Sequence, residues 1–393
     1  MTNEELIEKF ERENITLAPL KKRALAYLID EILVSQVFCS SILLHTKDYS
    51  PSIYKPQCLP RNEKNAAKFS KPLNLHVNSL YTSQAMTSPL SNRLTMIQLS
   101  ILIVNYNTET FIESLLIDLK EQSIQKNAFE IIIVNNVQNT LLNEVIEKNT
   151  KLHDLNIKII SSEKNVGFGR AMNLAAAHAK GAELLIGNPD LRMLQTDYLE
   201  QLLKHAKQHQ NYGVITTRQL NDDDKDTSEY KNYEFGQNLG YENQTNWLCG
   251  ALLLIQKTVF DQISGFDPDF FMYCEDEDLC LRVKKLNLPL IKINELKIYH
   301  KGGSSEPLKD YAFYHRWFKS KILFAYKHYP TDVFHQILNT LEKKSTSKAR
   351  LYRLIALSKI KKYQSRKDKW NAMKDCIQKT KAESVDWLYF KSV

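Results

Sequence analysis

Four consecutive carboxylates, Glu275-Asp276-Glu277-Asp278, follow an aromatic run that opens at Phe270, and Arg282 closes the segment. Acids at the start of a helix are favoured by the helix dipole, and one or two suffice as caps. Four in a row repel one another, so the surplus is expected to serve something besides the helix. Arg282 stands four residues after Asp278 and can pair with it on one helical face. A remaining carboxylate that points into a ligand crevice can take a proton from an attacking hydroxyl. A further acid, Asp190 in Asn188-Pro189-Asp190, stands just past the apolar Leu184-Leu185-Ile186. Hard carboxylate oxygens at a strand end suit Mg2+ or Mn2+, and such a cation neutralises a departing diphosphate. The same tripeptide is also ordinary turn chemistry. His300 follows the strand-like Leu296–Tyr299, and its imidazole gains weight as a Mn2+ ligand only beside a carboxylate.

Gly167-Phe168-Gly169 could suggest a dinucleotide fingerprint. That fingerprint needs a third small residue three positions after the second glycine, and Met172 stands there. Nicotinamide or flavin binding is therefore not expected. A loop at a helix N-terminus still offers free N–H groups to a phosphate or a polar ligand edge.

These residues need a scaffold, and the hydrophobic pattern between them describes one. Leu99–Val104, Glu130–Val134, Ile157–Ile160 and Glu183–Ile186 read as short buried strands. Helical periodicity over 110–122, 140–149, 170–179 and 198–208 alternates with them. Asn221–Asp226 reads as acidic and flexible, Leu248–Ile255 as a strand, the stretch from Asp276 as a helix and Ile291–Ile298 as one or two strands. Alternating strands and helices predict a doubly wound α/β sheet with right-handed crossovers. Ligands of such sheets sit beyond the carboxyl ends of the strands. That points to Asn105–Asn107, Asn135–Asn139, Asn165–Gly169 and Asn188–Asp190.

Composition frames this core. Residues 46–95 have linker composition with weak periodicity, so a boundary is expected near 96, and another near 330, beyond which the chain reads as helical and basic. The formal charge is +8, and between Leu341 and Trp370 there are eleven Lys/Arg against two acids. Such a segment suits an anionic partner such as a membrane surface, or is simply a solvated helical face. The six cysteines form no C-x-x-C pair, which fits reduced thiols in a cytosolic protein. Ala24–Leu44 is the most apolar early stretch, but it carries Asp30 and Glu31, which are costly in a bilayer. It reads as an amphipathic surface helix rather than a span. Lys21–Asp30 faintly resembles the start of an RDD-type membrane domain.

Taken together, the motifs resemble glycosyltransferase family 2, of GT-A fold, over about residues 99–330, and most closely its rhamnosyltransferase-like enzymes of bacterial surface polysaccharide synthesis. They are Ser100–Asn107, Asn165–Asn173, Asn188-Pro189-Asp190, Gly250-Ala251, Gly265–Tyr273, Glu275–Arg282 and His300. The resemblance implies a GT-A-type doubly wound mixed sheet with helices on both faces, to which composition adds an irregular N-terminal extension over 1–95 and a basic helical extension over 331–393. It implies an inverting, metal-dependent transferase that moves a sugar from a UDP- or dTDP-sugar to a hydroxyl of a glycan or lipid-linked acceptor. Asp276 would be the base, with Glu275 beside it. Asp190 and His300 would hold Mn2+ or Mg2+. Val104, Asn105, Tyr106, Asn107, Asn135, Asn165, Gly167, Phe168, Arg170, Asn173, Asn188 and Asp190 would contact the donor. Trp247, Gly250 and Ala251 would build the acceptor side. The family's usual Asp-Asn pair after the second strand is Asn135-Asn136 here. An amide offers both donor and acceptor to a base edge, which leaves base preference open. No nucleic acid partner is expected, and the location expected is cytoplasmic, peripheral on the inner face of the plasma membrane. Two other readings remain: a catalytically silent glycan- or partner-binding module, which Asn135 would favour, and a nucleotidyltransferase, which would release pyrophosphate.

Overall fold

The computed structural model describes residues 97–390, apart from 237, 305, 307 and 357–360. The expected helix over 24–44 and the linker over 46–95 lie outside the described residues.

The parallel half of the sheet forms first along the chain. β1 (Leu99–Asn105), β2 (Phe129–Asn135), β3 (Ile157–Ser161) and β4 (Glu183–Gly187) lie in the order β3-β2-β1-β4. The crossovers are α1 (Glu109–Lys120), α2 (Leu141–Lys148) and α3 (Phe168–Ala177). β1 and β2 are buried along their whole length, which is why they read as continuous apolar runs rather than as alternating ones. Alternate side chains still part to opposite faces. Ile101 and Ile103 join α1 and α4 (Tyr198–Gln208) in one core layer, while Leu102 and Val104 join α3 in the other.

The second half is mixed. β9 (Leu252–Gln256) runs antiparallel between β4 and β6 (Val214–Leu220), followed by β10 (Leu290–His300) and the short β5 (Leu191–Met193). The eight-stranded order is β3-β2-β1-β4-β9-β6-β10-β5. The expected strand Leu248–Ile255 is divided: β8 (Trp247–Leu248) pairs with β7 (Glu229–Tyr230) in a separate ribbon, and Cys249-Gly250-Ala251 turns the chain into β9. Asn221–Asp226 is a turn with its own bonds. The Asn221 side chain accepts the N–H groups of Asp223 and Lys225, each at 3.0 Å. The polar groups that suggest flexibility in the sequence close the turn on itself.

α5 (Lys257–Gln262) and α6 (Glu275–Lys285) complete the domain. α7 (Tyr311–His328), α8 (Thr331–Ile355) and α9 (Lys361–Ala382) follow, bringing the α-helices among the described residues to nine. These last helices share a core with Phe270, Cys274 and Leu281, whereas Leu279, Cys280 and Val283 of α6 pack with β4 and β9, so α6 meets the sheet on one side and the C-terminal helices on the other. No helix among the described residues is long and apolar enough to cross a membrane.

Candidate active site

A cleft of about 720 Å³ opens at the carboxyl edge of the strands, beside the point where the chain leaves β1 for β2 and later returns as β4 on the other side. Such a switch point leaves a crevice because consecutive crossovers depart in opposite directions. Val104, Tyr106, Asn136, Asn165 and Phe168 line one part of it; Asn188, Asp190 and His300 another; Gly250, Ala251, Glu275 and Asp276 a third.

Backbone pairing joins the last two parts. Gly187 stands opposite Leu252 in the β4–β9 ladder, and the Asn188 N–H donates to the Ala251 carbonyl at 2.9 Å. The loop that carries Asp190 therefore lies against Gly250-Ala251. The Gly250 N–H in turn donates to Asp276 Oδ2 at 2.9 Å. A Cβ at position 250 would stand 3.0 Å from that of Asp276, so glycine is what lets the carboxylate approach the backbone.

The four acids at the start of α6 have four different fates. Tyr273 and Cys274 precede them with φ of 71° and 66°, a left-handed pair that is costly for side chains bearing a Cβ and turns the helix start towards the cleft. Asp278 is buried and takes Arg282 Nε at 2.7 Å and His328 Nε2 at 2.7 Å. Burial pushes its carboxyl up, but His328 and Arg282 outweigh it and hold it below the ordinary aspartate value. Glu277 accepts a hydrogen bond from Lys321 of α7. Glu275 is buried, and its Oε2 has no partner; burial and then the neighbouring Asp276 charge raise its pKa. Asp276 alone of the four is not buried. Burial still raises it, against the Gly250 N–H and Lys321, which lower it. A partly desolvated carboxylate that reaches the cleft, with a raised pKa, is suited to accept a proton near neutral pH.

Asp190 and His300 meet across β5 and β10, with Oδ1 and Nε2 3.5 Å apart. Asn188 Nδ2 lies 3.4 Å from the same Nε2. Burial raises Asp190, yet His300 brings it below the ordinary value. Both contacts to Nε2 are at the outer limit of a hydrogen bond, so the ring nitrogen is not firmly claimed by either neighbour. Among the described residues no group of three or more His, Cys, Asp or Glu side chains is placed to hold a metal ion. One carboxylate and one imidazole fit a cation that completes its shell with phosphate oxygens and water, as Mg2+ and Mn2+ do.

The other side chains expected at the site are placed differently. Asn105 is buried, accepting the Thr108 N–H at 3.0 Å and donating to Asn135 Oδ1 at 2.8 Å. Asn135 is also buried and donates to the Asn139 carbonyl at 2.9 Å. Asn107 is exposed with φ of 55°. Gly167 passes so close to Phe271 that a Cβ would lie 2.2 Å from its carbonyl oxygen. Arg170 reaches the Pro268 and Phe390 carbonyls at 2.7 and 2.8 Å, and Asn173 clasps the Phe266 backbone at 2.7 and 2.8 Å. Asn105, Asn135, Gly167, Arg170 and Asn173 shape the loops around the cleft and do not line it. Asn136, beside Asn135 in sequence, does line it and donates to Asn165 Oδ1 at 2.8 Å.

Of the aromatic wall, the sequence points to Trp247 but not to its partners. Tyr230 and Trp247 face each other across the β7–β8 ribbon and stack at 3.9 Å, and both line the cleft with Trp317 and Phe313 of α7. Only pairing of the ribbon unites Tyr230 with Trp247, and no local pattern reports it. Glu306, also in the wall, accepts hydrogen bonds from Tyr273 and Arg316.

The glycosyl transferase family 2 pattern matches residues 100–273. The chain is 26% identical over 227 residues to rhamnosyltransferase WbbL of Escherichia coli K12, covering 51% of this chain and 81% of that protein. It is 27% identical over 206 residues to the low-salt glycan biosynthesis hexosyltransferase Agl10 of Haloferax volcanii, covering 48% and 62%. Among solved structures, the mannosyltransferase PcManGT of Pyrobaculum calidifontis, in complex with GDP-Man and Mn2+, aligns over 72% of this chain and 86% of its own at 16% identity and a TM-score of 0.48.

Proposed function

Through residues 100–273 this chain belongs to glycosyl transferase family 2, and from that premise we propose that it is an inverting transferase. It moves a sugar from a UDP- or dTDP-sugar to a hydroxyl of a glycan or lipid-linked acceptor in surface polysaccharide synthesis. The observation that carries this reading is the placement of Asp276. It is the one acid of the cluster that is not buried, and it lies in the same cleft as Asp190 and His300, bound to the turn against which the Asp190 loop rests.

The nucleoside takes the part of the cleft formed by Val104, Tyr106, Asn136 and Asn165, beyond β1 and β2. The Asn136 amide is spent on the Val166 N–H and on Asn165 Oδ1, so the amide nitrogen of Asn165 is the side-chain group offered to a base edge there. Asp190 and His300 would hold Mn2+ or Mg2+, which would neutralise the charge of the leaving diphosphate. The acceptor lies along Tyr230, Trp247 and Trp317, whose flat apolar faces suit the C–H faces of a sugar ring. Asp276 takes the proton of the attacking hydroxyl, and attack opposite the leaving group inverts the anomeric carbon.

The place of action we assign is the cytoplasmic face of the plasma membrane. Leu308 is 75% and Leu354 68% exposed, and Lys309, Arg350 and Arg353 are exposed beside them in the chain. Ser365 of α9 donates to the Lys309 carbonyl at 3.0 Å, and Gln364 to the Ala356 carbonyl at 2.7 Å. The Leu308 loop and the end of α8 are therefore joined through α9, next to the cleft that Lys309 lines.

Thermal unfolding with UDP, dTDP, GDP and CDP, each with and without Mn2+, tests the donor site, because a ligand that binds only the folded state raises the melting temperature. A shift with a pyrimidine diphosphate that grows with Mn2+ is the expected result. No shift with any of them would bring the silent-module reading forward.

A further inference from the structure

The acids of α6 pose an electrostatic problem that α7 resolves. A proton acceptor must stay ionised at working pH, yet Asp276 stands between the buried Glu275 and Glu277 in a partly desolvated place. Two carboxylates that share such a site push each other's pKa up. Arg282 and His328 neutralise Asp278, but they do not touch the other three. Lys321 enters from the far side, out of α7. Its ammonium and the Glu277 carboxylate are both almost fully enclosed, with side-chain exposures of 8% and 3%. It stands 5.8 Å from the ring centre of Trp247 and 5.7 Å from that of Trp317, positions in which a cation is attracted to the aromatic faces. Lys321, Trp247, Trp317 and Asp276 line the same cleft.

We propose that Lys321 is a positioning residue for transfer: it draws the charge of Glu277 onto itself and so leaves Asp276 as the ionised carboxylate of the cleft. The proposal rests on the reading of Asp276 as the base. It also gives the C-terminal helices a part in the chemistry, since Lys321 lies outside the residues 100–273 that match the family.

The groups that face Asp276 make Lys321 the source of positive charge. From its own helix come Glu275, Glu277 and Cys280, with Cys274 just before it; from the β8–β9 turn, Cys249 and the Gly250 N–H; from β7, Tyr230; from α7, Lys321. Burial pushes the three thiols and the phenol up, so they stay neutral at working pH. Burial alone would lower Lys321, but Cys274, then Glu277 and Glu234 outweigh it and keep the ammonium protonated. Asp276 has two hydrogen bonds that favour its ionised form, from the N–H groups of Gly250 and Glu277, each at 2.9 Å. Lys321 adds the long-range attraction that these neutral donors lack.

A buried pair that only stabilises the fold would not control the titration of Asp276. The full chain labelled with 13C at the aspartate carboxyl carbon allows that titration to be followed by NMR, with the Asp276 signal assigned by its loss in Asp276→Asn. Lys321→Met is expected to raise the Asp276 midpoint by about one pH unit or more, the scale of a nearby opposite charge. Lys321→Arg is expected to restore the wild-type midpoint, and Glu277→Gln to lower it by removing the repelling carboxylate. An unmoved midpoint in Lys321→Met, or Lys321→Arg moving as far as Met, would overturn the proposal. Should Lys321→Met not fold, Glu277→Gln decides, and a midpoint there that does not fall is contradictory. The titration needs no substrate, so its outcome is separate from whether any nucleotide sugar is turned over.

Discussion

Asp276 is distinguished from its neighbours by what each oxygen touches, and its replacement tests its role. Asp276→Asn keeps the shape of the side chain and removes the base, so turnover should fall by about 10²- to 10⁴-fold while the melting shift with donor nucleotide is retained. The pH dependence has a definite sign. The ionised form accepts the proton, and burial raises its pKa above the ordinary aspartate value of 3.8. The rate should therefore fall as pH drops through that raised value, giving an acid limb higher than an exposed aspartate would give. At the other end of the cleft, Asp190→Ala should remove the Mn2+-dependent part of the donor-induced melting shift. An equal shift with and without Mn2+ in both proteins would count against the metal role. The acidic run drew attention from sequence because four adjacent charges exceed what capping needs. The fate of Asn135, Arg170 and Asn173 was not legible there, because an amide or guanidinium looks the same whether it meets a ligand or the carbonyl of a neighbouring loop.

α6 is the element that sorts these roles, and its attachment to α7 is testable through stability. Asp278 joins Arg282 on its own helix to His328 on α7. Its pKa is lower folded than unfolded, so its contribution is complete above the ordinary aspartate value and is lost as pH falls through the depressed one. Asp278→Asn should cost roughly 3–5 kcal/mol at neutral pH, the usual penalty for breaking a buried pair. Denaturant curves of the two proteins should approach each other in acid. The long apolar strands β1 and β2 and the helices between them were readable because periodicity and length agree there. β6 was not. Its Thr216, Thr217 and Gln219 are buried but bonded to Leu252, Tyr198 and Cys249, so an interior strand reads as polar. α7 was hidden by its mixture of aromatic and basic residues, whose apolar side emerges only against α6, α8 and α9.

At the scale of the whole molecule, the C-terminal helices complete the cleft and carry exposed basic and apolar side chains near it. A juxtamembrane Lys or Arg contributes about 1 kcal/mol at an anionic surface. The protein should therefore sediment with vesicles of phosphatidylglycerol and phosphatidylcholine, and much less with phosphatidylcholine alone. Leu308→Asp combined with Arg350→Glu and Arg353→Glu should weaken that binding and leave the donor-induced melting shift unchanged; equal sedimentation of variant and wild type would exclude this surface. The basic character of the region was plain in composition, whereas its junction with the cleft depends on α9 folding back beside Lys309. The central claim, sugar transfer with Asp276 as base, is tested most directly by product release. Wild type and Asp276→Asn would be incubated with UDP-, dTDP- and GDP-sugars, Mn2+ and a glycan or lipid-linked acceptor, and free nucleoside diphosphate and pyrophosphate would be measured. The account predicts nucleoside diphosphate from a pyrimidine donor with wild type and its near absence with Asp276→Asn. Pyrophosphate as the product, no product from any donor, or equal release by both proteins would contradict it.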